Sequence, residues 1–193
     1  MQRDAEATKK RLVEAATAEF TEYGIGGARV DRIAEVAQAN KAQIYHYFGS
    51  KDDLFDAVFN EAVVDTFAQI HIEADDLPAS AGRLFDLYED NPGMAKLSTW
   101  HRLERGDSRQ PIEAIVAGSK AVIGDIEAAQ RRGLVTDRMA PVDVLALLMA
   151  IAQMWTTFAP EFQVFLDGHT REGRRQLVTE AVAAILRTAE PLQ

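Results

Sequence analysis

Cysteine is absent from the chain, which excludes disulfides, thiolate-bound metals and thiol nucleophiles and fits a reducing compartment. Long apolar runs are absent too. Nothing approaches the roughly 18 to 20 apolar residues that a membrane span needs, and the opening MQRDAEATKK is polar. We therefore expect a soluble, cytoplasmic protein with no membrane partner. Alternation of period two is never sustained long enough for a convincing strand. Proline is scarce, at 6 of 193 residues, and no proline-rich linker, internal repeat or low-complexity tract divides the chain.

What is present suits a folded protein of one or two small domains. Hydrophobic types make up 47% and charged types 26% of the chain, far from the signature of disorder. The net charge of −9 argues against a protein that coats nucleic acid or acidic membrane indiscriminately. Its distribution is more informative than its sum. Before Phe55 there are 8 basic and 9 acidic residues, and from Phe55 onward 13 and 21. The bases of the first part (Arg3, Lys9, Lys10, Arg11, Arg29, Arg32, Lys41 and Lys51) fall mostly near expected helix starts, where placed cations can hold phosphates.

Periodicity predicts an all-α chain of about nine helices. Leu12, Ala16, Phe20 and Tyr23 recur every three or four residues from about Thr8 to Tyr23, with Lys9, Lys10, Glu14 and Glu22 opposite. Gly24 is placed as a left-handed cap. A short helix from about Val30 to Ala37 follows, then a turn around Gln38 and Ala39, then a helix from Asn40 to Tyr47. Ser50 with Asp53 makes a capping pattern for a long fourth helix from about Lys51. Further helices are expected at about Ala79 to Glu89, Pro92 to Arg102, Pro111 to Arg132, Pro141 to Phe158 and Arg171 to Thr188. The boundary between an N-terminal domain, residues 1–55, and a C-terminal domain, residues 56–193, then falls within the fourth helix.

Two short helices joined by a tight turn, behind a stabilising first helix, match the helix-turn-helix unit, although a plain αα-hairpin shares the pattern. Ile33, Ala34, Ala37 and Ile44 can close the core that fixes the angle between the two helices. Lys41, Gln43, Tyr45 and His46 are left on or near the exposed end of the second. Lys suits phosphate or guanine, Gln can bond adenine, and Tyr and His reach backbone oxygens. Tyr47 and Phe48 are expected in the core.

The run ATAEFTEYGIGGARVDRIAEVAQANKAQIYHYFGSKDDLF resembles the N-terminal domain of the TetR family of transcriptional regulators, above all in AEF-x-x-x-G, RIAEVA, IYHYF and SKDDLF. The resemblance spans roughly Thr8 to Asn60. It implies that the first four helices bind double-stranded operator DNA and that the rest forms a ligand-binding and dimerisation domain. It places Ala28, Arg29 and Val30 at a helix start that approaches the backbone, and Asn40, Lys41, Ala42, Gln43, Tyr45 and His46 on the recognition helix. Lys51 falls at the phosphate-contacting Lys. The chain departs from the family pattern at Gln38, where many members have Gly, at Asn40, where Ser or Thr is frequent, and at Ala42-Gln43. These departures bear on the operator sequence.

In the C-terminal part, VDVLALLMAIAQMWTTF is apolar nearly all round between Val144 and Ala152, so its helix is expected to be buried on more than one side. The last helix carries Leu177, Ala181 and Ile185 on one stripe and Val178, Val182 and Leu186 beside it. Two such helices from each of two subunits can build a four-helix interface of a homodimer; the alternative is a monomeric core. Candidate ligand-lining residues are Phe85, Tyr88, Met94, Trp100, His101, Met149, Met154, Trp155 and Phe158, which suit a mostly apolar or aromatic small-molecule effector.

His46, His71, His101 and His169 are scattered, and no metal-ligand spacing, nucleophile elbow, P-loop or dinucleotide fingerprint occurs. We expect neither an enzyme nor a cofactor. The reading is a ligand-responsive, dimeric transcriptional regulator, a repressor of a palindromic operator, against the alternative of a helical small-molecule-binding or enzyme-like bundle without operator binding.

Overall fold

The computed structural model describes residues 2–105 and 111–187. Its elements are α1 (Gln2–Gly27), α2 (Val30–Val36), α3 (Lys41–Phe48), α4 (Lys51–Ala68), α5 (Leu77–Asp90), α6 (Pro92–Arg105), α7 (Glu113–Arg131), α8 (Pro141–Gln153), the short α9 (Pro160–Gln163) and α10 (Arg171–Leu186). The chain is all-α: the described residues contain no strand, and nine of the helices run for seven residues or more. No described helix is long and apolar enough to cross a membrane.

Local chemistry sets the boundaries. Asn40 caps α3 through a reciprocal box, its Oδ1 accepting from the Gln43 backbone N–H at 2.9 Å while Gln43 Oε1 accepts from the Asn40 N–H at 3.0 Å. The Ser50 hydroxyl accepts from the Asp53 backbone N–H at 3.0 Å and opens α4 as expected. By contrast, α8 stops at Gln153 and tightens into a 3₁₀ turn at Met154–Thr156 instead of reaching Phe158. There the hydroxyls of Thr156 and Thr157 donate to the carbonyls of Gln153 and Met154, at 2.8 and 2.7 Å, and Pro160 starts a separate turn. The expected end of the last helix at Thr188 lies outside the described residues.

The chain divides into two compact units, one of residues 2–66 with 93–105 and the other of 67–92 with 111–187. The sequence boundary near residue 55 assigned α6 to the C-terminal part; in the structure α6 groups with the N-terminal helices.

In the first unit, Leu12, Ala16 and Phe20 of α1, Ile33 and Ala34 of α2, Ile44 of α3 and Leu54, Phe55 and Val58 of α4 are buried. Phe20 meets Phe55 edge to face, with ring centroids 5.2 Å apart. Tyr23, expected on the same apolar face, is 47% exposed, and the Arg32 guanidinium lies 4.2 Å from its ring centroid. Gln38 takes the left-handed turn conformation, with φ 51°. The neighbouring helix end is held by Arg11, whose Nε donates to the Ala37 carbonyl at 3.0 Å.

Gly24 is more than the expected cap. Its φ of 63° with ψ −178° lies in a region essentially reserved for glycine, and the chain resumes helix after it. Any Cβ there would stand 2.7 Å from the indole of Trp100 on α6.

In the second unit, α5, α7, α8 and α10 close a core that includes Leu77, Ala81, Leu84, Phe85, Ile126, Val144, Leu148, Val178 and Val182. Gly82 lets α10 come close, since a Cβ would stand 3.0 Å from the Arg175 guanidinium. Ion pairs bind α10 to α5: Arg171 with Asp90 at 2.7 Å and with Asp86 at 3.5 Å, Arg174 with Glu89 at 2.6 Å and Arg175 with Asp86 at 2.7 Å. The hydrogen bond from Arg171 holds the Asp90 carboxyl below its ordinary pKa.

Gly24→Ala is expected to cost about 1 to 3 kcal/mol of stability, from backbone strain and the clash with Trp100. Gly26→Ala, at a helical site with nothing within 4 Å of the added methyl, should be neutral or stabilising. Urea denaturation of the two variants checks the contrast.

Candidate functional site

The outer end of the first unit is built from the starts of α2 and α3. Arg29 is the N-cap of α2, and its backbone N–H donates to Glu19 Oε1 at 2.7 Å. The same carboxylate, 8% exposed, receives Arg32 Nη2 at 2.6 Å and Arg32 Nε at 3.0 Å to each oxygen. Burial by itself would raise the pKa of Glu19. The hydrogen bonds from Arg32 and the Arg29 backbone outweigh that effect, and the carboxyl is held below its ordinary value. One buried anion thus ties the start of α2 to the middle of α1 and leaves the Arg29 side chain exposed.

The α2–α3 pair buries Ile33, Ala34, Ala37 and Ile44, the four residues expected to set its angle. With Ile44 inward, the helical period turns Ala42, Tyr45 and His46 outward, and these three and Lys41, at the start of the helix, are exposed. Tyr45 is half exposed, and the His46 ring lies 5.3 Å from that of Tyr47. Gln43 is half-buried, and its carbonyl serves the capping box, so its amide N–H groups are the ready donors. Tyr47 and Phe48, expected in the core, are only half-buried; Phe48 is covered on one side by the Lys9 ammonium, 5.9 Å from the ring centroid.

Lys51 and Lys41 also have partners within the protein. The Lys51 ammonium donates to the carbonyl of Ile25 at 2.7 Å and more weakly to that of Ala28 at 3.4 Å, fastening α4 to the turn that precedes α2. The Lys41 ammonium forms an ion pair with Asp31, in the first turn of α2.

The nine residues considered for a ligand site are divided between the two units. Phe85 and Trp155 are buried in the core of the second unit, and Tyr88, Met149, Met154 and Phe158 pack against that core. Burial raises the pKa of the Tyr88 phenol and keeps it neutral. Met94, Trp100 and His101 belong to α6 and group with the first unit. There Trp100 covers Gly24, and the His101 ring stacks on Phe59 with centroids 3.6 Å apart. A separate, small apolar recess is lined by Ile70, Ile72, Leu84, Ser119, Val122, Leu145 and Met149. Met149 alone of the nine reaches it.

Glu19 and Asp31 were not singled out from the sequence, and Arg11 only as one of the bases near helix starts. Glu19 carried a signal: it stands three residues after Ala16, on the face of α1 that buries Leu12 and Phe20, where an acid needs a partner.

Because Glu19 is ionised with a lowered pKa in the folded state, its contribution is complete above the ordinary value near 4.5 and is lost as pH falls through the folded-state value. Glu19→Gln should therefore cost about 1 to 3 kcal/mol at pH 7. The gap from the unsubstituted protein should close below about pH 4.5, which denaturation curves at pH 7, 5 and 3.5 would show.

Comparison with known proteins agrees with this geometry. Residues 12–58 match the family model described as bacterial regulatory proteins, tetR family, and residues 76–183 match tetracyclin repressor-like, C-terminal domain. The chain is 38% identical over 167 residues to the HTH-type transcriptional repressor SCO4008 of Streptomyces coelicolor, covering 86% of each. It is 24% identical over 179 residues to the HTH-type transcriptional regulator RutR of Escherichia coli, covering 88% of this chain and 84% of RutR. The crystal structure of SCO4942 from Streptomyces coelicolor superposes with a TM-score of 0.82 at 35% identity, covering 93% of this chain and 98% of that one. With its helix-turn-helix in place and both parts of the chain matched, the protein belongs to the TetR family of DNA-binding transcriptional regulators.

Proposed function

We propose that this regulator is a repressor that binds a palindromic operator as a homodimer and is released by a small, mostly apolar effector. The observation that carries the reading is the polar face of α3. Lys41, Tyr45 and His46 are exposed and Gln43 half so, on a helix anchored by the fully buried Ile44. That face offers cationic and hydrogen-bonding groups to the major groove, while Arg29, Asn40 and Lys51 stand at helix starts suited to phosphates. The name of the 38% identical relative supports repression.

Dimerisation is supported by the apolar surface of the second unit. The structure buries α8 through Val144, Leu145, Leu148 and Ala152, whereas Val142 and Leu147 stay exposed. In α10, Val178 and Val182 face the core, and Leu177 and Ile185 are exposed. A second copy covering both helices would remove this surface from water and set two α3 helices on one face of a duplex.

The effector reading rests on the apolar recess, whose single polar side chain is Ser119. A ligand there can release DNA only by binding more tightly to a conformation in which the two α3 helices are wrongly spaced.

Lys41→Ala is expected to weaken binding to a duplex selected by the unsubstituted protein by about tenfold, and binding to a random duplex less, as loss of a base contact requires. Tyr45→Ala should weaken binding by about tenfold with little change in slope, as loss of an uncharged contact requires. Fluorescence anisotropy across a salt series tests both, and unchanged affinity in both variants would refute the assignment of α3. For the dimer, Leu147→Asp combined with Leu177→Asp should give a folded monomer in sedimentation equilibrium.

A further inference from the structure

The ion pair between Asp31 and Lys41 places a negative charge on the face assigned to DNA, where it opposes phosphate binding. Part of its role is local. Asp31 sits in the first turn of α2, where a carboxylate is favoured by the helix dipole. Lys41 is the first residue of α3, where a cation is disfavoured by the same effect, and Asp31 offsets that mismatch. Such an acid needs only its own helix. Here it crosses to the next one and engages the cation that begins α3. Both side chains keep half or more of their surface in water, 57% for Lys41 and 50% for Asp31, so the pair is accessible to a duplex.

The pairing changes what Lys41 can do. An ammonium has three N–H donors, and one directed at Asp31 leaves two. Guanine presents two neutral acceptors, O6 and N7, in the major groove, and the paired ammonium can meet them without losing its carboxylate. A phosphate that captures Lys41 must compete with that carboxylate and bring a second negative charge towards it. We propose that Asp31 is a specificity-determining residue for DNA: it acts through Lys41 as a positioning residue, directing the ammonium to guanine edges and opposing its capture by phosphate. This inference rests on the assignment of α3 to the major groove.

The test compares the full-length protein with Asp31→Asn, Lys41→Gln and the double variant. Two duplexes of equal length serve as probes, one recovered by the unsubstituted protein from a random pool and one of random sequence, each titrated across a salt series. Asp31→Asn should bind the random duplex about threefold to tenfold more tightly at low salt, with a steeper salt dependence. Affinity for the selected duplex should rise less, so that the ratio between the two falls. In the Lys41→Gln background the same substitution should leave the ratio unchanged, and Asp31→Glu should restore most of it. The proposal is overturned if Asp31→Asn tightens both duplexes equally, or if its effect persists undiminished beside Lys41→Gln, since either result reports bulk charge alone. If the unsubstituted protein enriches no duplex, the α3 assignment itself fails before the variants are compared, and the proposal falls with it.

Discussion

The burial of Ile44, opposite Ile33, Ala34 and Ala37 on the preceding helix, is the constraint on which the rest of the first unit depends. An α-helix completes one turn every 3.6 residues, so fixing one side chain inward fixes the direction of all the others. Small residues on α2 let α3 come close, and a single large side chain then suffices to set the angle. Arg11 on the Ala37 carbonyl and the left-handed Gln38 complete the turn. The buried carboxylate of Glu19 fixes the other end of α2.

A unit without excess positive charge can still meet a polyanion because its cations are placed. Several are also already engaged: Arg32 by Glu19, Lys51 by the turn carbonyls and Lys41 by Asp31. Such partners restrict where each cation can go, which lowers indiscriminate attraction and makes binding depend on geometry. The acidic second unit adds to this, since residues 67–92 and 111–193 carry 9 basic and 16 acidic residues and so most of the net charge of −9.

Much of this architecture was legible in the sequence, for physical reasons that differ by element. The α2–α3 unit could be read because Ile33, Ala34, Ala37 and Ile44 recur at helical spacing and Ser50 signals the cap of α4. The outward set on α3 followed from the same period. The failures involve partners distant in sequence. Glu19 finds Arg32, and Gly24 finds Trp100, only after the helices pack. Composition alone could not separate a ligand-lining aromatic from a packing one, and Trp100 and His101 proved to stack on Gly24 and Phe59. On α8, the apolar circumference indicated more burial than one chain supplies, leaving Val142 and Leu147 exposed.

The central claim is that α3, oriented by Ile44, enters the major groove and that two copies do so together. Chemical footprinting of the complete protein on a duplex selected from a random pool tests it most directly, with guanine N7 methylation reporting the major groove. The account predicts two protected segments on one face of the duplex, their centres about one helical turn of 10 to 10.5 base pairs, or a multiple of it, apart and symmetric about the midpoint. A single protected segment, or protection confined to the minor groove, would contradict it.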